Sequence, residues 1–130
     1  ATYPPPPATI GFSDLSPAEL HHADWTFIDA RIEGDRLHLR VGFSGCSPDH
    51  PFALWMSNGF MESMPVQANL VLVNELEEGC DAWFEKDLYF NLKPLSDRFL
   101  QAYGPGRLAL NFVQPDSTVH KLVWGIFPPD

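Results

Sequence analysis

Alternation of apolar and polar positions is clearest in the first half of the chain. Leu37, Leu39, Val41 and Phe43 alternate with His38, Arg40, Gly42 and Ser44. A period of two marks a strand with one face toward a core and the other toward water. Ahead of it Ile28, Ala30 and Ile32 alternate with Phe27, Asp29 and Arg31, and Glu33-Gly34-Asp35 supplies a turn. The two segments predict a β-hairpin. Residues 52–56 predict a further strand, followed by a loop at Ser57-Asn58-Gly59-Phe60. Leu70-Val71-Leu72-Val73 is a short apolar run with β-branched residues, expected as a buried strand. Residues 82–92 read as extended, with Leu88, Phe90 and Leu92 on one face, and residues 108–113 and 119–127 predict a second hairpin.

Helical signals are few. Ser16, Pro17 and Glu19 stand in the order of an N-cap, a first-turn proline and an N3 acceptor. They predict a turn or two of helix ending by Asp24. Residues 94–103 predict a second helix, stopped by Gly104-Pro105-Gly106. The four prolines Pro4 to Pro7 impose extended polyproline geometry and offer no amide donors. Residues 1–13 are therefore expected to be a proline-rich tether, and residues 14–130 a single β-sandwich-like domain. The fold class expected is mainly β, an antiparallel β-sandwich of about seven strands with one or two short helices.

Composition fits that expectation and narrows the function. A chain of 130 residues, 45% hydrophobic, with ten Phe, four Trp and three Tyr, can fill the core of one domain. Its formal net charge of −9 repels phosphate backbones, and the eight Lys and Arg look scattered along the sequence, so no nucleic-acid partner is expected. No run of eighteen apolar residues occurs, hence no transmembrane helix is expected. No basic segment leads into an apolar one as in a secretory signal. The first residue is Ala1 rather than Met, as in a processed chain, and an N-terminal lipid anchor is left open.

Candidate chemistry centres on Ser44-Gly45-Cys46-Ser47-Pro48-Asp49-His50 and on Glu77-Glu78-Gly79-Cys80-Asp81. Two cysteines in an exported chain are expected to pair, since free thiols do not persist in oxidising compartments. Closing a loop of about 34 residues would stabilise the fold by roughly 4 kcal/mol. The alternative is a zinc or copper site built from Cys46, His50 and Cys80, for which Cys-x3-His is an acceptable spacing. A catalytic thiol fits less well, because Glu75, Glu77, Glu78 and Asp81 surround Cys80 and would raise its pKa. The same acidic turn lacks the ligand alternation of a calcium loop. A hydrolytic acid pair drawn from Glu62, Glu75, Glu77 and Asp81 has no spacing to fix it. Neither a nucleophile elbow nor a phosphate-cradling glycine loop is present.

The stretch from Phe43 through Ser44-Gly45-Cys46 and His50 to Phe52 resembles a Ser-Gly-Gly-Cys-x-x-His-x-Phe pattern of bacterial envelope proteins. These are secreted or lipoprotein β-domains that include ones similar to the NigD-like lipoproteins. In that group a second Cys follows a polar turn and precedes a strand ending in Leu-x-Pro-Leu, matched here by Cys80 and Leu92-Lys93-Pro94-Leu95. The similarity covers about 40% of the chain. This sequence has one more residue between Cys46 and His50, and Glu in the turn before Cys80 where the group has His, Asp and Asn. The resemblance implies an exported β fold and no activity.

These observations lead to an expected function. The chain reads as a non-enzymatic exported envelope domain, periplasmic, outer-surface or extracellular, with no cofactor. It would bind another envelope protein or serve as an accessory subunit. Phe60, Met61 and Met64, set beside a predicted loop, are the expected partner-binding residues. The alternative function is a metal-binding or redox-linked envelope protein using Cys46, His50 and Cys80.

Overall fold

The computed structural model describes residues 8–127. Its elements run β1 (Ala8–Thr9), β2 (Gly11–Ser13), α1 (Pro17–Leu20), β3 (Thr26–Glu33), β4 (Arg36–Gly45), β5 (Phe52–Met61), β6 (Val66–Asn74), β7 (Ala82–Asn91), α2 (Lys93–Tyr103), β8 (Gly106–Val113) and β9 (Val119–Ile126). Two mixed sheets form a sandwich. One has the strand order β1-β7-β4-β3, the other β2-β5-β6-β8-β9.

The predicted mainly β, two-sheet architecture is present, with nine strands among the described residues where about seven were expected. The two additional strands come from the segment read as tether. Residues 8–13 are not free chain: β1 pairs in parallel with β7 and β2 in parallel with β5, so each sheet receives one short edge strand. Ile10, between them, is buried in the common core. The prolines Pro4 to Pro7 lie outside the described residues. A third parallel pair, β6 with β8, arises because the chain leaves β6, crosses to the other sheet as β7, and returns through α2.

Alternation along β4 sets the core. Leu37, Leu39, Val41 and Phe43 are buried and meet Leu54, Leu70, Leu72, Leu108 and Phe112 of the facing sheet in one cluster. Helix α2 closes one end of the sandwich by burying Leu95 and Phe99. Two buried indoles tie loops and sheets to the frame through backbone acceptors: Trp25 Nε1–H donates to the Leu72 carbonyl at 2.7 Å, and Trp124 Nε1–H to the Gly34 carbonyl at 3.1 Å. At α1 the predicted capping box forms, Ser16 Oγ accepting from the Glu19 amide and the Glu19 carboxylate from the Ser16 amide.

Two local expectations are corrected. The loop expected at Ser57-Asn58-Gly59-Phe60 is a bulge inside β5, which continues to Met61. Asn58 (φ 61°) and Gly59 (φ 73°) absorb the register shift in the left-handed region, which Asn and Gly enter most readily. In β3 a register shift between Phe27 and Asp29 reverses the expected phase. Phe27 turns inward and Ile28 is exposed, while Ala30 and Ile32 keep the predicted side.

Candidate functional site

At one end of the sandwich, the end of β4 and the start of β7 are joined by a Cys46–Cys80 disulfide with Cα atoms 4.9 Å apart. Beside it the His50 ring is fully buried and tilted against Phe43, with centroids 4.6 Å apart. Its Nδ1 lies 2.9 Å from Asn74 Oδ1 and its Nε2 2.5 Å from Glu78 Oε1. The Asn74 amide is fixed in orientation, since its Nδ2 donates to the Asp24 carbonyl and its Oδ1 accepts from the Leu76 amide. Glu78 Oε1 also accepts from the Cys46 amide at 3.1 Å. That amide bond, and then the bond from His50, hold the Glu78 carboxyl below its ordinary pKa.

Both ring nitrogens of His50 therefore face acceptors. Lys86 Nζ, from β7, caps the same segment by donating to the carbonyls of Pro48 and His50. Gly45 is required by close approach: a Cβ there would stand 2.5 Å from His50 Nε2 and 3.0 Å from Glu78 Oε1. The residues weighed for a metal, Cys46, His50 and Cys80, do come together. In this arrangement both sulfurs are bonded to each other and both ring nitrogens face hydrogen-bond acceptors, so a thiolate–imidazole ligand set is not on offer. What the geometry builds is a brace between β4, the 74–78 segment and the disulfide.

Of the weighed carboxylates, Glu62 does not pair with any of the other three. Glu62 follows β5 at the β5–β6 turn, whereas Glu75, Glu77 and Asp81 lie beyond the other end of β6. Nine residues of strand, about 30 Å, separate the two ends. Glu77 and Glu78 share an open depression with Trp83, which is exposed on the β7 start.

Phe60, Met61 and Met64 lie close in sequence at the opposite end from the disulfide and have three different environments. Phe60 is half-buried, edge-on to Phe99 and Tyr103 of α2 at 6.0 and 5.5 Å. Met61 is 39% exposed and Met64 99% exposed. The turn carrying Met64 is braced internally, with Ser63 Oγ–H donating to the Pro65 carbonyl at 2.6 Å and Gln67 Nε2–H donating to Ser63 Oγ at 3.0 Å.

A third feature escaped the sequence reading, in which the cations looked scattered. Cross-strand pairing puts three of them, Arg31, Arg36 and Arg40, together on the outer face of the four-stranded sheet. Register sets Arg31 opposite His38 and His38 opposite Tyr89, and Arg40 opposite Asp87. His38 Nδ1 accepts from Arg31 Nε–H at 3.1 Å, so its proton sits on Nε2, which donates to Asp87 Oδ1 at 2.9 Å. Arg40 donates to Asp87 Oδ2 and to Glu85 Oε1. The His38 bond, ahead of the Arg40 contacts, holds the Asp87 carboxyl below its usual pKa. The signal in the sequence was positions 36, 38 and 40 at a spacing of two, but only the pairing with β3 and β7 makes it a patch.

No protein-family model and no curated protein matches the chain. Solved structures share its fold. A DUF1344 protein of unknown function from Bacteroides vulgatus superposes with a TM-score of 0.58 at 14% identity over 95% of this chain and 58% of its own. A protein described only as toxin-related, from Parabacteroides distasonis, gives 0.60 at 13% identity, covering 92% of this chain and 61% of its own. A NigD-like immunity protein from Bacteroides caccae gives 0.53 at 13% identity, covering 92% and 64%. The chain thus spans about three-fifths of the length of these proteins. The NigD-like resemblance carried by the Cys46 and Cys80 motifs is met at the level of the fold, which this chain shares with a NigD-like protein and with uncharacterised Bacteroides proteins.

Proposed function

We propose that the chain is a non-enzymatic, exported envelope domain that binds another protein through the end of the sandwich bearing Phe60, Met61 and Met64. The observation that carries this reading is Met64, 99% exposed on a turn whose own hydrogen bonds hold it outward. A flexible thioether presented on a braced turn is suited to contact, and Met61 at the end of β5 is exposed as well. The Cys46–Cys80 disulfide supports an oxidising compartment. Descriptions of two fold neighbours, one as an immunity protein and one as toxin-related, are compatible with a protein partner for this chain.

The test is affinity capture from the native envelope with the parent chain and with Met64→Glu. A stoichiometric partner retained by the parent and lost by Met64→Glu is the expected result. Equal retention by Met64→Glu, or no stoichiometric partner at all, would sink the reading.

A further inference from the structure

The outer face of β3, β4 and β7 forms an open depression of about 250 Å³ lined by Arg31, Glu33, Arg36, His38 and Tyr89. Arg31, Arg36 and Arg40 share this face with Asp29, Glu33, Glu85 and Asp87, and only some of these charges are paired. The ion pairs of the face run from Arg40 to Asp87 and Glu85, and His38 donates a hydrogen bond to Asp87. None of them, among the described residues, reaches Arg31 or Arg36. Arg31 is aimed rather than neutralised: His38, itself anchored by Asp87, accepts its Nε–H, and among the described residues neither terminal Nη group has a hydrogen-bond partner. The Arg36 guanidinium sits over the Tyr89 ring, its central carbon 4.5 Å from the centroid, while His38 stacks on the same ring at 4.7 Å. A stacked guanidinium keeps its in-plane donors for a ligand.

We infer that Arg31 and Arg36 form a binding site for a carboxylate presented by a partner polypeptide. Two guanidinium forks on neighbouring strands match the planar geometry of that group. The third charged member, Glu33, lies opposite Arg36 in register without bonding to it, so the three charged residues lining the depression sum to one positive charge, with Asp29 beyond Arg31 in the adjoining depression. A single negative charge is matched there, whereas a phosphate dianion would meet the Glu33 carboxylate. Tyr89 is already engaged by Arg36 and His38, so it does not offer the free ring face on which an acidic sugar would stack. The choice of a polypeptide over other carriers of a carboxylate rests on the protein-binding function proposed above.

The experiment is a titration of the full chain followed by the arginine Nε–H resonances in 1H–15N spectra at physiological salt. Acetylated tri-glutamate amide, trigalacturonate and inorganic phosphate are the probes. Tri-glutamate is expected to shift Arg31 and Arg36 and leave Arg98 and Arg107 in place. R31Q and R36Q are each expected to weaken its apparent affinity about fivefold, the scale of one exposed charge pair, and E33Q to strengthen it. Unchanged thermal melts would show that these surface variants fold. No shift with tri-glutamate, a shift that survives in R31Q/R36Q, or tighter saturation by phosphate or trigalacturonate would overturn the assignment. Failure here with Met64-dependent capture intact removes the carboxylate site and leaves the partner reading standing. Loss of that capture with the tri-glutamate shifts intact does the reverse.

Discussion

His50 and Glu78 lie 28 residues apart in sequence and meet at 2.5 Å beside the disulfide. Asn74 Oδ1 and Glu78 Oε1 face the two ring nitrogens, and Glu78 also accepts from the Cys46 amide. The folded-state pKa of Glu78 is therefore depressed. A group of that kind contributes stability that is fully present above its unfolded pKa, about 4.3, and lost as pH falls through the lower folded value. The parent is expected to lose thermal stability as pH drops from about 5 toward 3. Part of that slope belongs to Asp87 and Asp116, whose carboxyls are also held low. Glu78→Gln should be less stable than the parent near neutral pH and show a shallower acid slope. Melting curves from pH 7 to 3 test this, and superimposable profiles would reject the brace.

The same contact makes a glycine indispensable. A Cβ at Gly45 would meet His50 Nε2 at 2.5 Å, and that ring is pinned on both nitrogens. Gly45→Ala is expected to cost about 2 kcal/mol, in the range of overpacking in a well-filled interior. Gly79→Ala, one residue from Cys80 and with nothing within 4 Å of its would-be Cβ, is the matched control and should be nearly neutral. Urea unfolding of the two variants against the parent reads the difference; equal losses would mean that the packing around His50 relaxes freely.

How far the sequence revealed this molecule varied from element to element for physical reasons. Strand β4 was legible because one of its faces is buried and the other wet, so period-two alternation survives intact. Asn58-Gly59 was misread because the left-handed conformations that make a turn also make a bulge, and only pairing with β6 separates the two. The short strands at residues 8–13 carry no alternation long enough to detect and exist by tertiary pairing alone. The two cysteine motifs were legible as a pair, whereas Asn74 was invisible as the partner of His50, since nothing local distinguishes an Asn at a strand end. The cluster of Arg31, Arg36 and His38 likewise depends on registers among three strands, which no single segment contains.

The disulfide closes a loop with a sequence separation of 34. In the chain-entropy picture its removal costs about 4 kcal/mol, through the freedom regained by the unfolded chain. The Cys46→Ala/Cys80→Ala double variant should lower the urea midpoint accordingly, and reduction of the parent should do the same. Intact mass before and after reductant and alkylation confirms which state is being unfolded. A double variant as stable as the oxidised parent would show that the His50 brace alone holds the two segments together.

Strand β3 joins the other sheet through Gln114, and this explains its reversed phase. The Phe27 amide donates to Gln114 Oε1 at 2.8 Å, and His120 Nε2 lies 2.9 Å from the same oxygen. The Phe27 ring stacks on His120 with centroids 4.2 Å apart and planes at 9°. Phe27 thus faces inward because its backbone and its ring both have partners from the far side of the sandwich, a longer-range demand than the alternation of Ile28, Ala30 and Ile32. Gln114, only 8% exposed, supplies the acceptor for both donors. Gln114→Ala would leave the Phe27 amide unpaired in a largely buried setting, at an expected cost of about 2 kcal/mol. Hydrogen exchange locates the effect: the Phe27 amide should lose protection in Gln114→Ala, while the Leu39 amide, in the middle of β4, loses only what global destabilisation removes. Undiminished protection at Phe27 would mean that the bulge is fixed by ring stacking alone.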